Sequence, residues 1–315
     1  MIEVTNLTKK YGQNTAVDNI SFTVEEGEIV GFLGPNGAGK STTMNMITGY
    51  ISSTEGTVKI NGYDILEQPE EAKRRIGYLP ELPPLYMDME VEEYLSFVAD
   101  LNHLKKSEKA KVIENVMETT KITHMRKRLI KNLSKGYKQR VGLSQALIGN
   151  PDVLILDEPT VGLDPKQIIE MREVIKGLGK KHTIILSSHI LSEVSAVCDR
   201  VIIISHGKIV ASDTPENLSK RLTQSNTISL RVKGPKESIL QTLKSIENVT
   251  SVKFKSSVEE GTVDVIVEAK EETDIREAVF NAMAKNNYPI FSMNSMDLSL
   301  EEIFLQVTKE DRGIK

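Results

Sequence analysis

Three things are scarce in this sequence: cysteine, long apolar runs and excess positive charge. A single cysteine, Cys198, stands among 315 residues, which rules out an internal disulfide framework and points to a reducing compartment. The longer apolar runs, such as Val153–Leu156 and Val201–Ile204, fall far short of the roughly 20 residues that span a bilayer. The first residues, MIEVTNLTKK, hold no basic segment followed by an apolar stretch, so no secretory signal is expected. Net charge is −4, so the general basic footprint of a nucleic-acid binder is missing. Internal repeats and low-complexity stretches are also lacking. What remains is a globular composition, 39% hydrophobic and 27% charged, with a length that suggests two domains. A soluble cytosolic chain is expected, one that cannot cross a membrane by itself.

Residues 1–82 carry short β-branched stretches (Ile2–Val4, Ile20–Val24, Ile29–Phe32, Thr57–Ile60) separated by glycine-bearing turns. Residues 88–148 read mainly as helix. Residues 151–212 alternate: a strand at 153–156, a helix near 166–179, a strand at 183–186, a helix near 190–197 and a strand at 201–205. Continuous apolar strands in strand–helix–strand order argue for an α/β domain whose sheet is buried on both faces. From about residue 222 the pattern becomes strand, helix, hairpin, helix, strand, the βαββαβ split arrangement of ferredoxin-like domains. A short helix over 299–307 is expected to follow, opened by a capping box of Ser299 and Glu302.

The strongest motif is Gly34-Pro35-Asn36-Gly37-Ala38-Gly39-Lys40-Ser41, followed by Thr42. It matches the P-loop pattern between a strand-like and a helix-like segment, as that pattern requires. Glycines let backbone N–H groups reach phosphate oxygens, and the helix start near Lys40 adds its positive end. Lys40 can reach the β- and γ-phosphates, and the Ser41 hydroxyl can ligate Mg²⁺. A second apolar strand ends in Asp157 and Glu158. Asp157 is assigned to Mg²⁺ through its water shell, and Glu158 to accepting a proton from attacking water. A solvated acidic turn is the competing explanation for that pair.

The segments GPNGAGKST (34–42), LSKGYKQRVGLSQAL (133–147), LILDEPTVGLDP (154–165) and ILSSH (185–189) occur in the order found in ATP-binding cassette (ABC) ATPases. The chain resembles that family over residues 1–220. The resemblance implies a P-loop NTPase with a RecA-like core, an antiparallel β subdomain and a helical subdomain at about 85–150, followed by a C-terminal α+β domain at 221–315. It implies ATP and Mg²⁺ as ligands. Tyr11, just before the first long turn, matches the aromatic that stacks on adenine, with ordinary packing as the competing explanation. Ser134 and Gly136 fall on the signature motif, where Lys135 and Tyr137 depart from the usual residues. Ser134 also reads as a plain N-cap for a helix from about Lys138. His189 matches the switch histidine that senses the γ-phosphate. Asp164 matches the loop between paired subunits, or else caps a helix with Pro165 at its first position. Glu81 stands where the family usually has a glutamine near Mg²⁺, and an ordinary surface loop is the alternative.

Glu81 and the ending SLEEIFLQVTKE resemble the exporter branch of the family. The resemblance implies an ATP-hydrolysing subunit on the cytoplasmic side of the cell membrane. Its expected partners are a separate integral-membrane permease and a second ATPase subunit, with no nucleic acid. The alternative is a soluble ABC ATPase acting on ribosomes or DNA. That class usually carries two cassettes in tandem or a long coiled-coil insertion, and neither occurs here.

Overall fold

Strand β3 (Ile29–Leu33), β7 (Val153–Asp157) and β8 (Thr183–Ser188) are buried at every residue, as continuous apolar runs require. They form the middle of a six-stranded sheet with β6 (Ile76–Leu79), β9 (Arg200–Ser205) and β10 (Lys208–Asp213), in the order β10-β9-β3-β8-β7-β6. The first five strands from the β6 edge run parallel, and β10 closes the other edge antiparallel to β9. This computed structural model describes residues 1–222, 227–256, 259, 261–270 and 273–295. They divide into two units, Met1–Pro215 and Glu216–Lys315, at the start of helix α8 (Pro215–Leu222).

A second sheet of the first unit has the order β2-β1-β4-β5 and is antiparallel. It contains β1 (Ile2–Tyr11), β2 (Asn14–Val24), β4 (Glu55–Ile60) and β5 (Tyr63–Asp64). Strands β1 and β2 are longer than the short stretches legible in sequence. Register shifts interrupt their pairing, and Asn6 and Asn19 both sit at φ 50°. Asparagine tolerates that left-handed conformation, so the strands continue through irregularities that break the alternation. The turn after Tyr11 is also tighter than expected. Tyr11 pairs directly with Asn14, leaving only Gly12 and Gln13 between them. The two sheets share one core, in which Phe22 packs on Phe32 at 5.6 Å between ring centres.

The helices of the first unit are α1 (Lys40–Ile47), α2 (Pro69–Lys73), α3 (Val91–Leu101), α4 (Lys106–Thr119), α5 (Lys135–Leu147), α6 (Pro165–Leu178) and α7 (Leu191–Ser195). Between α4 and α5 the chain makes two single 3₁₀ turns, Thr123–Met125 and Ile130–Asn132. Helix α5 begins immediately after Ser134, three residues earlier than the sequence suggests. It lies so close to β6 that a Cβ on Gly77 would come within 2.1 Å of the Ala146 carbonyl oxygen.

The second unit is a four-stranded antiparallel sheet of β11 (Thr227–Lys233), β12 (Val249–Ser256), β13 (Thr262–Ala269) and β14 (Ile290–Ser295), in the order β12-β13-β11-β14. Helices α9 (Lys236–Lys244) and α10 (Arg276–Lys285) complete the βαββαβ order. Alternate residues Ile228, Leu230 and Val232 meet Val263, Val265 and Val267 in a core closed by Ile239, Leu243, Val279 and Met283. The helix expected over 299–307 lies outside the described residues. Among the described residues, no helix is long and apolar enough to cross a membrane.

Candidate active site

The phosphate loop, Glu81, Asp157, Glu158 and His189 lie at or just beyond the C-terminal ends of the parallel strands β3, β6, β7 and β8, where open α/β sheets place their ligand sites. Strand β3 ends at Leu33, and the chain turns through residues 34–39 into α1. Gly37 has φ 82° and Gly39 φ 107°, conformations that side chains resist. Gly34 is required for a different reason: a Cβ there would lie 2.6 Å from the Ile204 carbonyl oxygen. Gly39 serves as N-cap of α1 without a side-chain cap. The backbone N–H groups of Gly37, Gly39, Lys40, Ser41 and Thr42 meet no acceptor among the described residues. A cluster of unpaired donors at a helix start is a site for anionic oxygens, so the loop fits a phosphate chain.

Lys40 is only 6% exposed, and its Nζ donates to the carbonyl oxygens of Gly34 at 2.8 Å and Pro35 at 3.3 Å. Its third neighbour is Glu158, with Nζ 3.4 Å from Oε1. That pairing joins two separate motifs 118 residues apart, so neither motif alone carries it. Glu158 is itself 5% exposed and sits just beyond β7 at φ 48°. On its other side, His189 Nδ1 lies 3.0 Å from Oε1 and 2.9 Å from Oε2. The buried carboxylate thus faces a lysine at the start of α1 and a histidine just past the end of β8.

One residue earlier, Asp157 accepts a hydrogen bond from the Ser187 hydroxyl, which in turn accepts from the Glu158 N–H at 3.1 Å. Asp157 and Ser187 face each other in the β7–β8 register. Ser187 lies inside a quoted motif, yet its link to Asp157 becomes visible only once the strands are paired. The other oxygen of Asp157 meets no donor among the described residues. Asp157, Ser41 and Glu81 line one cavity of about 890 Å³. Glu81 follows β6, and its carbonyl accepts from Gln139 Nε2 of α5 at 2.7 Å. Tyr78 donates to Asn45 at 3.1 Å, and burial together with the Asp157 charge pushes its phenol up to about 12.

Among the described residues, no group of three or more His, Cys, Asp or Glu can enclose a metal. Mg²⁺ seldom needs such a cage, because it keeps waters and shares phosphate oxygens. One hydroxyl and one or two carboxylates facing a phosphate loop therefore fit it.

Tyr11 is 52% exposed, and Lys9 Nζ lies 5.2 Å from its ring centre, so it is not a core residue. Ser134 caps α5, accepting from Tyr137 N–H at 3.4 Å. Gly136 packs against the terminal amide of Gln167, whose Oε1 a Cβ would approach to 2.5 Å, so a larger residue there would have to displace that side chain. Asp164 caps α6 through Gln167 N–H at 2.9 Å, with Pro165 at its first position. No described hydrogen bond or ion pair joins Tyr11, Ser134 or Gly136 to Lys40, Asp157 or Glu158.

Comparison with known proteins agrees with this geometry. The family described as ABC transporter matches residues 17–161. The linearmycin resistance ATP-binding protein LnrL of Bacillus subtilis (strain 168) is 34% identical, over 98% of this chain and 98% of its own length. The bacitracin transport ATP-binding protein BcrA of Bacillus licheniformis is 42% identical, over 70% of this chain and 72% of its own. Among solved structures, the dimeric post-hydrolysis state of the ATP-binding cassette MJ0796 bound to ADP and Pi superposes with a TM-score of 0.62. It is 25% identical, over 68% of this chain and 98% of that one. Motifs, strand-end geometry and a relative matched nearly end to end coincide: the chain belongs to the ATP-binding subunits of ABC transporters and is a transport-coupled ATPase.

Proposed function

We propose that the loop Gly34–Thr42 holds the triphosphate of ATP, that Ser41, Asp157 and Glu81 hold its Mg²⁺, and that Glu158 is the general base for hydrolysis. When bound, Mg²⁺ neutralises charge on the phosphate oxygens. Lys40 exchanges its carbonyl partners and its Glu158 contact for phosphate oxygens, which leaves Glu158 to His189 and the attacking water. His189 holds the carboxylate at an angle where it accepts the water's proton. Tyr11, exposed at the end of β1, supplies a ring for adenine to stack on. The observation that carries this reading is the Lys40–Glu158–His189 chain of contacts at the strand ends.

Ser134 and Gly136 cannot complete the same site from within the chain by any described contact. They are assigned to the nucleotide of a second subunit, in a closed head-to-tail pair, as the dimeric MJ0796 cassette supports. The membrane path belongs to a separate permease, with this subunit peripheral at the cytoplasmic face. The named relatives, one of linearmycin resistance and one of bacitracin transport, support export of antibiotic compounds. They give the ribosome or DNA alternative no support.

Glu158→Gln tests the assignment. The variant is expected to bind ATP, lose turnover by about 100-fold or more, and accumulate as a dimer with ATP and Mg²⁺ in light scattering. Turnover near wild type removes Glu158 from this role.

A further inference from the structure

Glu193 is a buried carboxylate that the hydrolytic assignments leave without a task. It lies in the first turn of α7, is 5% exposed, and has no ion-pair partner among the described residues. Burying a charge without a cation is costly unless hydrogen bonds satisfy it. Its Oε2 accepts from two hydroxyls, those of Thr160 and Ser188. Thr160 stands two residues after Glu158, and Ser188 immediately precedes His189. Both are almost wholly buried, Ser188 at 1% and Thr160 at 6% exposed.

The place of this carboxylate explains what it does. The β7–β8 ladder runs in parallel register as far as Asp157 and Ser187. Glu158 then departs at φ 48°, so the backbone ladder cannot continue between the two segments that carry Glu158 and His189. The last backbone bond of the ladder runs from Glu158 N–H to the Ser187 carbonyl at 3.2 Å, and the Ser187 hydroxyl adds a second acceptor for that N–H and a donor to Asp157. Beyond it, Glu193 joins the two segments through Thr160 and Ser188. The Ser188 hydroxyl also accepts from Ile190 N–H at 3.1 Å, which bends the chain around His189. The Thr160 carbonyl accepts from Leu163 N–H at 3.2 Å, rooting the loop that leads to α6. Glu158 and His189 are therefore held between two side-chain links, one on each side along the chain.

We infer that Glu193 is a positioning residue for ATP hydrolysis, a buried brace that fixes the angle between Glu158 and His189 without touching nucleotide. The inference rests on the assignment of Glu158 and His189 to the hydrolytic step. Small displacements of catalytic groups lower turnover steeply and leave binding of the remote parts of a substrate intact.

Steady-state ATPase assays on the full chain test this with Glu193→Ala, Glu193→Gln and Thr160→Val. Glu193→Ala and Thr160→Val are expected to lower kcat by roughly tenfold or more, with KM for ATP within about twofold of wild type. Glu193→Gln keeps an acceptor oxygen and is expected to recover most of that loss. In a His189→Ala background, Glu193→Ala is expected to add no further loss, because the brace acts through the histidine contact. A packing role alone would raise KM together with lowering kcat, or multiply the loss in the His189→Ala background, and either result overturns the inference. So does wild-type kcat in both Glu193→Ala and Thr160→Val. Glu158→Gln in the same assay separates the two levels of argument: full turnover there defeats the underlying assignment, whatever the Glu193 variants do.

Discussion

At the scale of residues, Lys40 binds the site into one electrostatic unit. Its three ammonium donors are spread over two carbonyls and a buried carboxylate. Removing the cation leaves Glu158 desolvated with only His189 beside it, and breaking a buried pair from one side costs about 3–5 kcal/mol. Lys40→Met is thus expected to lower the thermal midpoint as well as ATP affinity, and adding Glu158→Gln is expected to recover the midpoint but not the affinity. Fluorescent-nucleotide titration and thermal unfolding read the two effects separately; undiminished ATP binding by Lys40→Met contradicts the phosphate assignment. Cys198 behaves differently because nothing charged stabilises its thiolate. Burial and the neighbouring Asp199 charge push its thiol far above the usual range, and thiolate is the reactive form. Native protein at pH 8 is expected to resist iodoacetamide and to react fully once unfolded, as mass spectrometry would show.

At the scale of elements, close approach of backbone decides which glycines matter. Gly77 in β6 meets the Ala146 carbonyl of α5, and Gly142 in α5 meets Leu79 and Pro83 from the loop that carries Glu81. Helix and strand end are thereby locked together beside the cavity. A carbonyl oxygen cannot rotate away as a side chain can, so Gly77→Ala is expected to destabilise by about 2–3 kcal/mol. Gly177 in α6 has nothing within 4 Å of a new Cβ, so Gly177→Ala is expected to stabilise by about 0.5–1 kcal/mol through helix propensity. Chemical denaturation of the two variants should show opposite shifts in midpoint. The parallel strands were legible as apolar runs, whereas the lengths of β1 and β2 were not. Their polar residues and left-handed asparagines satisfy no period, and only pairing with β4 and with each other makes them strands.

At the scale of the whole molecule, the two units have separate cores, one around Phe32, Met44 and Ile155 and the other around Leu230, Val265 and Met283. Every proposed nucleotide contact lies in the first. Calorimetry is expected to resolve two unfolding transitions. ATP with Mg²⁺, added to Glu158→Gln, should raise only one of them, by the ~2.7 kcal/mol that ligand at 100 times its Kd supplies. A single transition that moves as one would show that the cores unfold together.

The sequence by itself determined the phosphate loop, the acidic strand end and the family. Each of these depends on neighbouring residues whose backbone must take one local shape, and local shape is written in consecutive letters. Tertiary structure alone decided that Lys40 pairs with Glu158, that His189 meets the same carboxylate from 31 residues away, and that Glu193 joins the two segments that present Glu158 and His189. Strand order and register set those meetings. A register is fixed by the summed burial of many side chains across several strands, so no single motif carries it.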